Sequence, residues 1–395
     1  MAVPELAING GPKVRERPFP PWPVLGDDDV AAVADVLRSG HLTQLTGRAV
    51  ADFEEAFAAW HGVRHCIATS SGTAAIHAAL LARGTGPGDE VIVPAHTFIA
   101  SATPVLHAGA TPVFADIDER TYCIDPQRVR ERLTPRAKAI VAVHLNGHPA
   151  DLDLLAEIAR DHGLALIEDA AQAHGALYNG RKVGTIGEMG CFSFWEDKIM
   201  TTGGEGGAVL TNDDALAERL RRIRHHGEGP VKGERAYYHL DLGYNYRMTS
   251  AQAATGLVQL RRLDEYIAAR RGNAAYLAQR LGELDGIEPP FVAESAVHSY
   301  YKFICRLRPG AGADIASFVA AVAAEGVPVS RRYPTPLPQQ PVFRDAGLAG
   351  PPCPVAERLA GELFTLLVHP TVTTTDLDDV VTAIRKVLGG LRPAV

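Results

Sequence analysis

From Cys66 to Ala170, short β-rich apolar runs alternate with stretches of helical period. CIAT (66–69) precedes TAAIHAALLA (73–82), and EVIVP (90–94) precedes FIASATPVLHAG (98–109). TPVFADI (111–117) is followed by PQRVRERL (126–133), AIVAVHL (139–145) by DLDLLAEIARDHG (151–163), and LALIEDA (164–170) closes the series. This alternation predicts a mostly parallel sheet with helices on both faces. Upstream, 27–39 reads as a helix with an acidic first turn that Gly40 ends. The Pro- and Gly-rich stretch 1–25 reads as an arm lying over the body or over a neighbouring subunit. After GCFSF (190–194) and GGAVLT (206–211) the rhythm changes. One long helix is expected over 250–271, an extended piece at YYKFICRL (300–307), and helices at ASFVAAVAAEG (316–326) and DLDDVVTAIRKVL (376–388). The fold class is therefore α/β, with an arm (1–25), a large domain (26–256) and a smaller C-terminal α/β domain (257–395).

Composition narrows the function classes. The 395 residues are 46% hydrophobic and 22% charged, a globular balance with material for a core. A net charge of -7 and the lack of a Lys/Arg-rich block argue against nucleic acid. The nearest basic cluster, RLRRIRHH (219–226), reads as the solvated side of a helix. Five cysteines, odd in number and without a CxxC, indicate neither a disulfide framework nor a structural zinc site. The N-terminus lacks the apolar segment of a signal peptide, and no apolar run is long enough to span a bilayer. A soluble cytoplasmic protein with no membrane contact is expected.

Three local features carry chemistry. Ligands of such sheets bind at the carboxyl ends of the strands. Asp169 ends the run LALIED, where an acid can make one strong electrostatic contact, although Glu168 or Asp169 could equally cap the next turn. Ser70-Ser71-Gly72-Thr73 lies between a strand and a helix, a turn suited to phosphate through free N–H groups and the helix dipole. An ordinary cap by Ser71 explains the same residues. Lys198 follows FSFWED and precedes TTGGEGG. A lysine crowded into a pocket has its pKa lowered, as an amine that bonds an aldehyde requires, and the glycines let backbone pass close to another group. Alone, that lysine reads as a surface residue beside a turn. The order of the three is what discriminates: pyridoxal phosphate needs a phosphate cup, an acid on its pyridine nitrogen and a lysine for its aldehyde.

With those residues in place, the chain resembles the DegT/DnrJ-type sugar and cyclitol aminotransferase family of fold-type I, aspartate aminotransferase-like enzymes. The matching stretches are SSGTAAIHAAL (70–80), GDEVIVPAHTFIAS (88–101), VHLNGHPAD (143–151), IEDAAQAHGA (167–176), CFSFWEDKIMTTGGEGGAV (191–209) and LGYNYRMT (242–249), with a weaker match at RYPTPLPQQPVF (332–343). The resemblance implies that Lys198 is the Schiff-base and proton-transfer lysine and that Asp169 pairs with the pyridine nitrogen. It implies that Gln172 lies near the phenolic oxygen, that Phe98 stacks on the ring, and that Gly72, Thr73 and Ser193 hold the phosphate. Asn245 would reach the phosphate from a partner subunit, making a homodimer part of the site. His174, Trp195 and Tyr333 are assigned to substrate, with packing near the cofactor open for His174 and a structural role open for Trp195. No metal is implied; His144 and His148 flank Asn146-Gly147, which reads as a turn.

Two departures stand out. TTGGEGG is one residue longer than the family's TxGEGG, and Pro338 stands where a histidine is frequent. The implied reaction takes an amino group from glutamate or glutamine to a keto sugar or keto-cyclitol, in secondary-metabolite (aminoglycoside or aminosugar) biosynthesis. A nucleotide-linked keto sugar is the alternative acceptor. A dehydratase would share these motifs, but the family's deoxysugar dehydratases carry histidine at the position of Lys198; its aromatizing synthases keep the lysine. A non-catalytic sensor would normally add a DNA-binding module.

Overall fold

The protein, seen here as a computed structural model, is described over residues 5–229 and 237–391. Residues 1–4 of the expected arm, and 230–236 and 392–395, lie outside that range. Nine strands come from the first half of the fold: β1 (His65–Thr69), β2 (Glu90–Pro94), β3 (Thr111–Ala115), β4 (Ala137–Val143), β5 (Ala165–Asp169), β6 (Leu177–Tyr178), β7 (Arg181–Lys182), β8 (Met189–Ser193) and β9 (Gly207–Thr211). Seven of them form one sheet in the order β1-β9-β8-β5-β4-β2-β3. Only β9 runs against its neighbours, pairing antiparallel with β1 and β8. The sheet is thus mostly parallel, as the alternation predicted. β2, β5 and β8 are buried along their whole length and β4 from Ala139 on, and Val91, Ile92, Val93, Ile140, Val141 and Ile167 are apolar on both faces. That is the pattern of strands covered on two sides by helices.

The second half adds β10 (Ile287–Glu288), β11 (Ala296–Val297), β12 (Phe303–Leu307), β13 (Val329–Arg331) and β14 (Leu363–Leu366). These make an antiparallel sheet, β10-β12-β14-β13, while β11 joins the β6–β7 hairpin. The sheet packs in a second hydrophobic cluster with residues of the helices Ile315–Ala324 and Thr374–Leu391. Leu6 of the arm is part of that cluster, and Arg15 is buried against Asp376 and Asp379 at 2.7 Å each. Within one chain, the arm therefore lies on the C-terminal half.

Two elements differ from expectation. The helix expected over 250–271 is two, Ser250–Arg261 and Leu263–Gly282, broken at Arg262. Arg262 leaves the helical register while its guanidinium reaches Asp28 and Asp29 of the helix Asp27–Ser39. The stretch 98–109 is a 3₁₀ turn, Ile99–Ser101, followed by a short helix, Thr103–His107, whose first turn holds Pro104. The basic cluster 219–226 is only partly a solvated face. Arg224 is buried against Glu54, and Arg222 pairs with Asp241 at 2.6 Å. Among the described residues no helix is long and apolar enough to cross a membrane.

Candidate active site

The parallel strands deliver four loops to one edge of the sheet: 70–73 after β1, 95–101 after β2, 170–172 after β5 and 194–198 after β8. They enclose a cavity of about 340 Å³. Gly72, Thr73, Phe98, Asp169, Gln172, Ser193, Trp195, Lys198 and Tyr333 all line it, so nine residues expected from the sequence meet there.

Strand alternation sorts the two acids that end β5. Glu168 turns away and is fully buried, accepting N–H bonds from Gly184, Ile186 and Gly187 and contacting His144 Nε2 at 3.0 Å. Asp169 faces the cavity. Its Oδ2 accepts from Ser101 Oγ at 2.7 Å and its Oδ1 from the Ala171 N–H at 3.1 Å. The acid thus caps its turn and also faces the cavity. The Ser71 turn likewise combines both readings. Ser71 Oγ accepts from the Ala74 N–H at 3.1 Å as the cap of the helix Gly72–Ala82. The remaining N–H groups of that first turn have no partner within the helix and can receive an anion.

Backbone closeness makes two glycines obligatory. A Cβ on Gly72 would sit 2.7 Å from Ser193 Cβ, and one on Gly207 would sit 2.3 Å from the Ser71 carbonyl oxygen. Together they let β8, β9 and the helix start converge. The turn in TTGGEGG is made by Gly203 and Gly204, at φ 84° and 133°, whose N–H groups bond Thr201 Oγ1; residues 202–207 by themselves read TxGEGG, so the expected extra residue is not an insertion.

Lys198 is held from both sides of its peptide. Its N–H donates to the Trp195 carbonyl at 2.9 Å, and its own carbonyl accepts from Trp22 Nε1 of the arm at 3.0 Å. Ile199 and Met200 are fully buried beyond it. The amine lies 4.6 Å from the centre of the Tyr301 ring. Burial first, then the charge of Arg332, lower its pKa from 10.5 to about 7, against the opposing pull of Asp169 and Asp197. Gln172 bridges the walls, accepting from the Asn146 N–H at 2.9 Å and donating to the Tyr333 hydroxyl at 3.3 Å.

Other expected residues lie elsewhere. His174 does not line the cavity; it is fully buried with its ring 5.3 Å from Phe192 and 5.7 Å from Phe194. It packs among apolar rings rather than at the expected substrate position, and that burial pushes its pKa well down. Asn245 is exposed, bridged to His225, and not part of this chain's cavity wall. His144 and His148 are engaged by protein: Ala150 N–H donates to His144 Nδ1 and Ala293 N–H to His148 Nε2. No group of three or more potential metal ligands exists among the described residues. Pro338 is buried in a 3₁₀ turn whose Leu337 N–H donates to the Ala95 carbonyl.

Four lining residues with polar side chains, Ser101, Glu205, Tyr301 and Arg332, were not identified from the sequence. Ser101 stood inside the quoted FIAS motif and Arg332 beside Tyr333. Without the fold, neither showed which wall it would join.

Comparison with known proteins places the chain in one family. The model of the DegT/DnrJ/EryC1/StrS aminotransferase family matches residues 23–385. The chain is 43% identical over 343 residues to GDP-perosamine synthase of Caulobacter vibrioides, spanning 87% of this chain and 91% of that one. It is 39% identical over 417 residues to L-glutamine:2-deoxy-scyllo-inosose aminotransferase of Streptoalloteichus tenebrarius, spanning 97% of each. The crystal structure of an aminotransferase from Psychrobacter cryohalolentis superposes with a TM-score of 0.87 at 38% identity, covering 93% of this chain and 98% of that one. The chain belongs to the DegT/DnrJ/EryC1/StrS aminotransferase family and is a fold-type I, pyridoxal-phosphate-dependent aminotransferase.

Proposed function

We propose that the chain moves an amino group from glutamate or glutamine to a keto sugar or keto-cyclitol in aminosugar or antibiotic biosynthesis. The names of the relatives support that acceptor class, because one makes an amino sugar carried on GDP and another aminates a cyclitol. A nucleotide-linked keto sugar and a free keto-cyclitol are both acceptors of this class.

The observation that carries the reading is the convergence of a desolvated amine, a strand-end carboxylate and a helix N-terminus on one cavity. The donor set fits pyridoxal phosphate, because the glycine approach at 72 and 207 leaves a cradle that any side chain would fill. When bound, the cofactor supplies an aldehyde that takes up the amino group and a ring that accepts electrons from the donor's α carbon. Gly72, Thr73 and Ser193 would hold its phosphate, Asp169 would keep its pyridine nitrogen protonated, and Phe98 and Gln172 would hold its ring. Lys198 would be the amine that engages the aldehyde and that moves the proton at the donor's α carbon; an amine near neutrality suits both directions of transfer. Trp195 and Tyr333 face the substrate.

We further propose a homodimer in which Asn245 of one copy reaches the phosphate bound by the other. The exposed Leu240 and Leu242 beside it are apolar surface of the kind that interfaces cover. Residues 1–25, 26–256 and 257–395 would act as arm, large domain and small domain. A cytoplasmic setting accords with five buried free thiols.

The test is to load the holoenzyme with glutamate or glutamine, follow bleaching of the near-visible cofactor band, then add keto sugars and keto-cyclitols. Return of the band identifies the acceptor. If the parent shows no such band and Lys198→Ala behaves like it, the reading fails.

A further inference from the structure

The ionic groups on the cavity wall are Asp169, Lys198, Glu205 and Arg332. Asp169 is already bonded by Ser101 and Ala171, and Lys198 is the reacting amine. Lys302, just behind the wall, is occupied by Asp197 at 2.7 and 3.0 Å. Arg332 differs from all of these. Its guanidinium carbon lies 5.2 Å from the centre of Tyr301 and 4.9 Å from that of Tyr333, and its buried Nε has no hydrogen-bond partner. Among the described residues no carboxylate forms an ion pair with it. Its near neighbours are the phenols of Tyr301 and Tyr333, which bond it without neutralising it, and the only carboxylate that adds an attraction, Asp197, is already paired with Lys302. A desolvated guanidinium without a directly paired carboxylate is costly unless a ligand supplies the anion.

We propose that Arg332 receives the α-carboxylate of the amino donor. This rests on the aminotransferase reading of the cavity. The α-carboxylate is one bond from the carbon whose proton Lys198 moves, so its binding group has to stand beside that amine. Arg332 does, because the Tyr301 ring that carries the Lys198 amine at 4.6 Å also carries the guanidinium. The planar fork of N–H donors matches a carboxylate in two parallel bonds. The cofactor phosphate has its own place at the start of the helix Gly72–Ala82. A diphosphate on an acceptor is separated from the reacting carbonyl by the atoms of the sugar ring, and would lie farther from Lys198 than Arg332 does. Tyr333, adjacent in sequence and bonded to Gln172, fixes the segment that presents the arginine.

The test uses the holoenzyme and separates the two half-reactions. Arg332→Gln is expected to raise the KM for L-glutamate and L-glutamine by about tenfold to a hundredfold, the worth of a charge-assisted hydrogen bond. The acceptor KM in the second half-reaction stays unchanged, and Arg332→Lys retains part of the donor affinity. Calorimetric Kd values for glutarate, which has the carboxylates but cannot react, weaken in parallel. A donor with an α-carboxamide binds the parent poorly and binds Arg332→Gln no worse. Unchanged glutarate affinity, or a loss confined to the acceptor, overturns the proposal while leaving aminotransfer intact. A parent that takes an amino group from no amino acid overturns the reaction instead, and the glutarate comparison still decides whether Arg332 binds a carboxylate. If Arg332→Gln does not fold, Arg332→Lys carries the same comparison.

Discussion

At the scale of single residues, Lys198 and Asp169 show how the enclosure alters ordinary side chains. With its pKa near 7 in the folded protein against 10.5 for an ordinary lysine, the Lys198 amine is neutral in the fold where the unfolded chain still holds a proton. Between those values the unfolded state binds more protons, so stability rises with pH across the window and the gain is lost as pH falls to about 7. Melting temperatures of the cofactor-free protein from pH 7 to 10 should therefore climb, and Lys198→Met should flatten that slope. Asp169 depends on Ser101, its side-chain donor at 2.7 Å. Ser101→Ala should cost roughly 1.5–3 kcal/mol of the charge-assisted bond. Titration with pyridoxal phosphate would read this as weaker cofactor binding, while Thr97→Ala, one step farther from the acid, should have less effect.

At the scale of elements, the site is a product of chain ends meeting. The helix Gly72–Ala82 starts where β8 stops and β9 begins, and the contact tolerates no Cβ at 72 or 207. Gly207→Ala should force the Ser71 carbonyl aside and destabilise the fold by about 1–3 kcal/mol. A lower denaturant midpoint, with cofactor affinity falling in step, would show it; an unchanged midpoint would mean the backbone gives way freely. The strands and most helices of the first half were legible because their apolar periods and caps agree. Asp151 caps the helix Leu152–His162 and Gly163 ends it in the left-handed conformation, at the two ends of the stretch 151–163 that the periodicity marks as helical. The break at Arg262 was not legible, since the periodicity runs through it and only the distant Asp28 and Asp29 draw the arginine away.

At the scale of the molecule, the arm connects the C-terminal half to the lysine. Arg15 anchors it on Asp376 and Asp379, and farther along the arm Trp22 meets Tyr266 edge to face, stacks with His369 and donates to the Lys198 carbonyl. Arg15→Met leaves Asp376 buried without its partner, both side chains being 2% exposed. The expected loss is about 3–5 kcal/mol, measured by denaturant unfolding. A loss below 1 kcal/mol would show that Arg17, 3.0 Å from Asp376, takes over.

What the sequence determined by itself was local: strand and helix periods, helix caps, and three chemical signatures whose order along the chain identified the lysine. Those signals survive in one dimension because each lies within a few neighbouring residues. Tertiary structure decided which side chains share a wall. It separated Glu168 from Asp169 by facing them to opposite sides of β5, and moved His174 into the apolar interior. It also brought Arg332 from the C-terminal half to the cavity wall, and Trp22 from the arm to the Lys198 carbonyl. Contacts between segments this far apart depend on how two sheets and an arm pack together, and no local period records that packing.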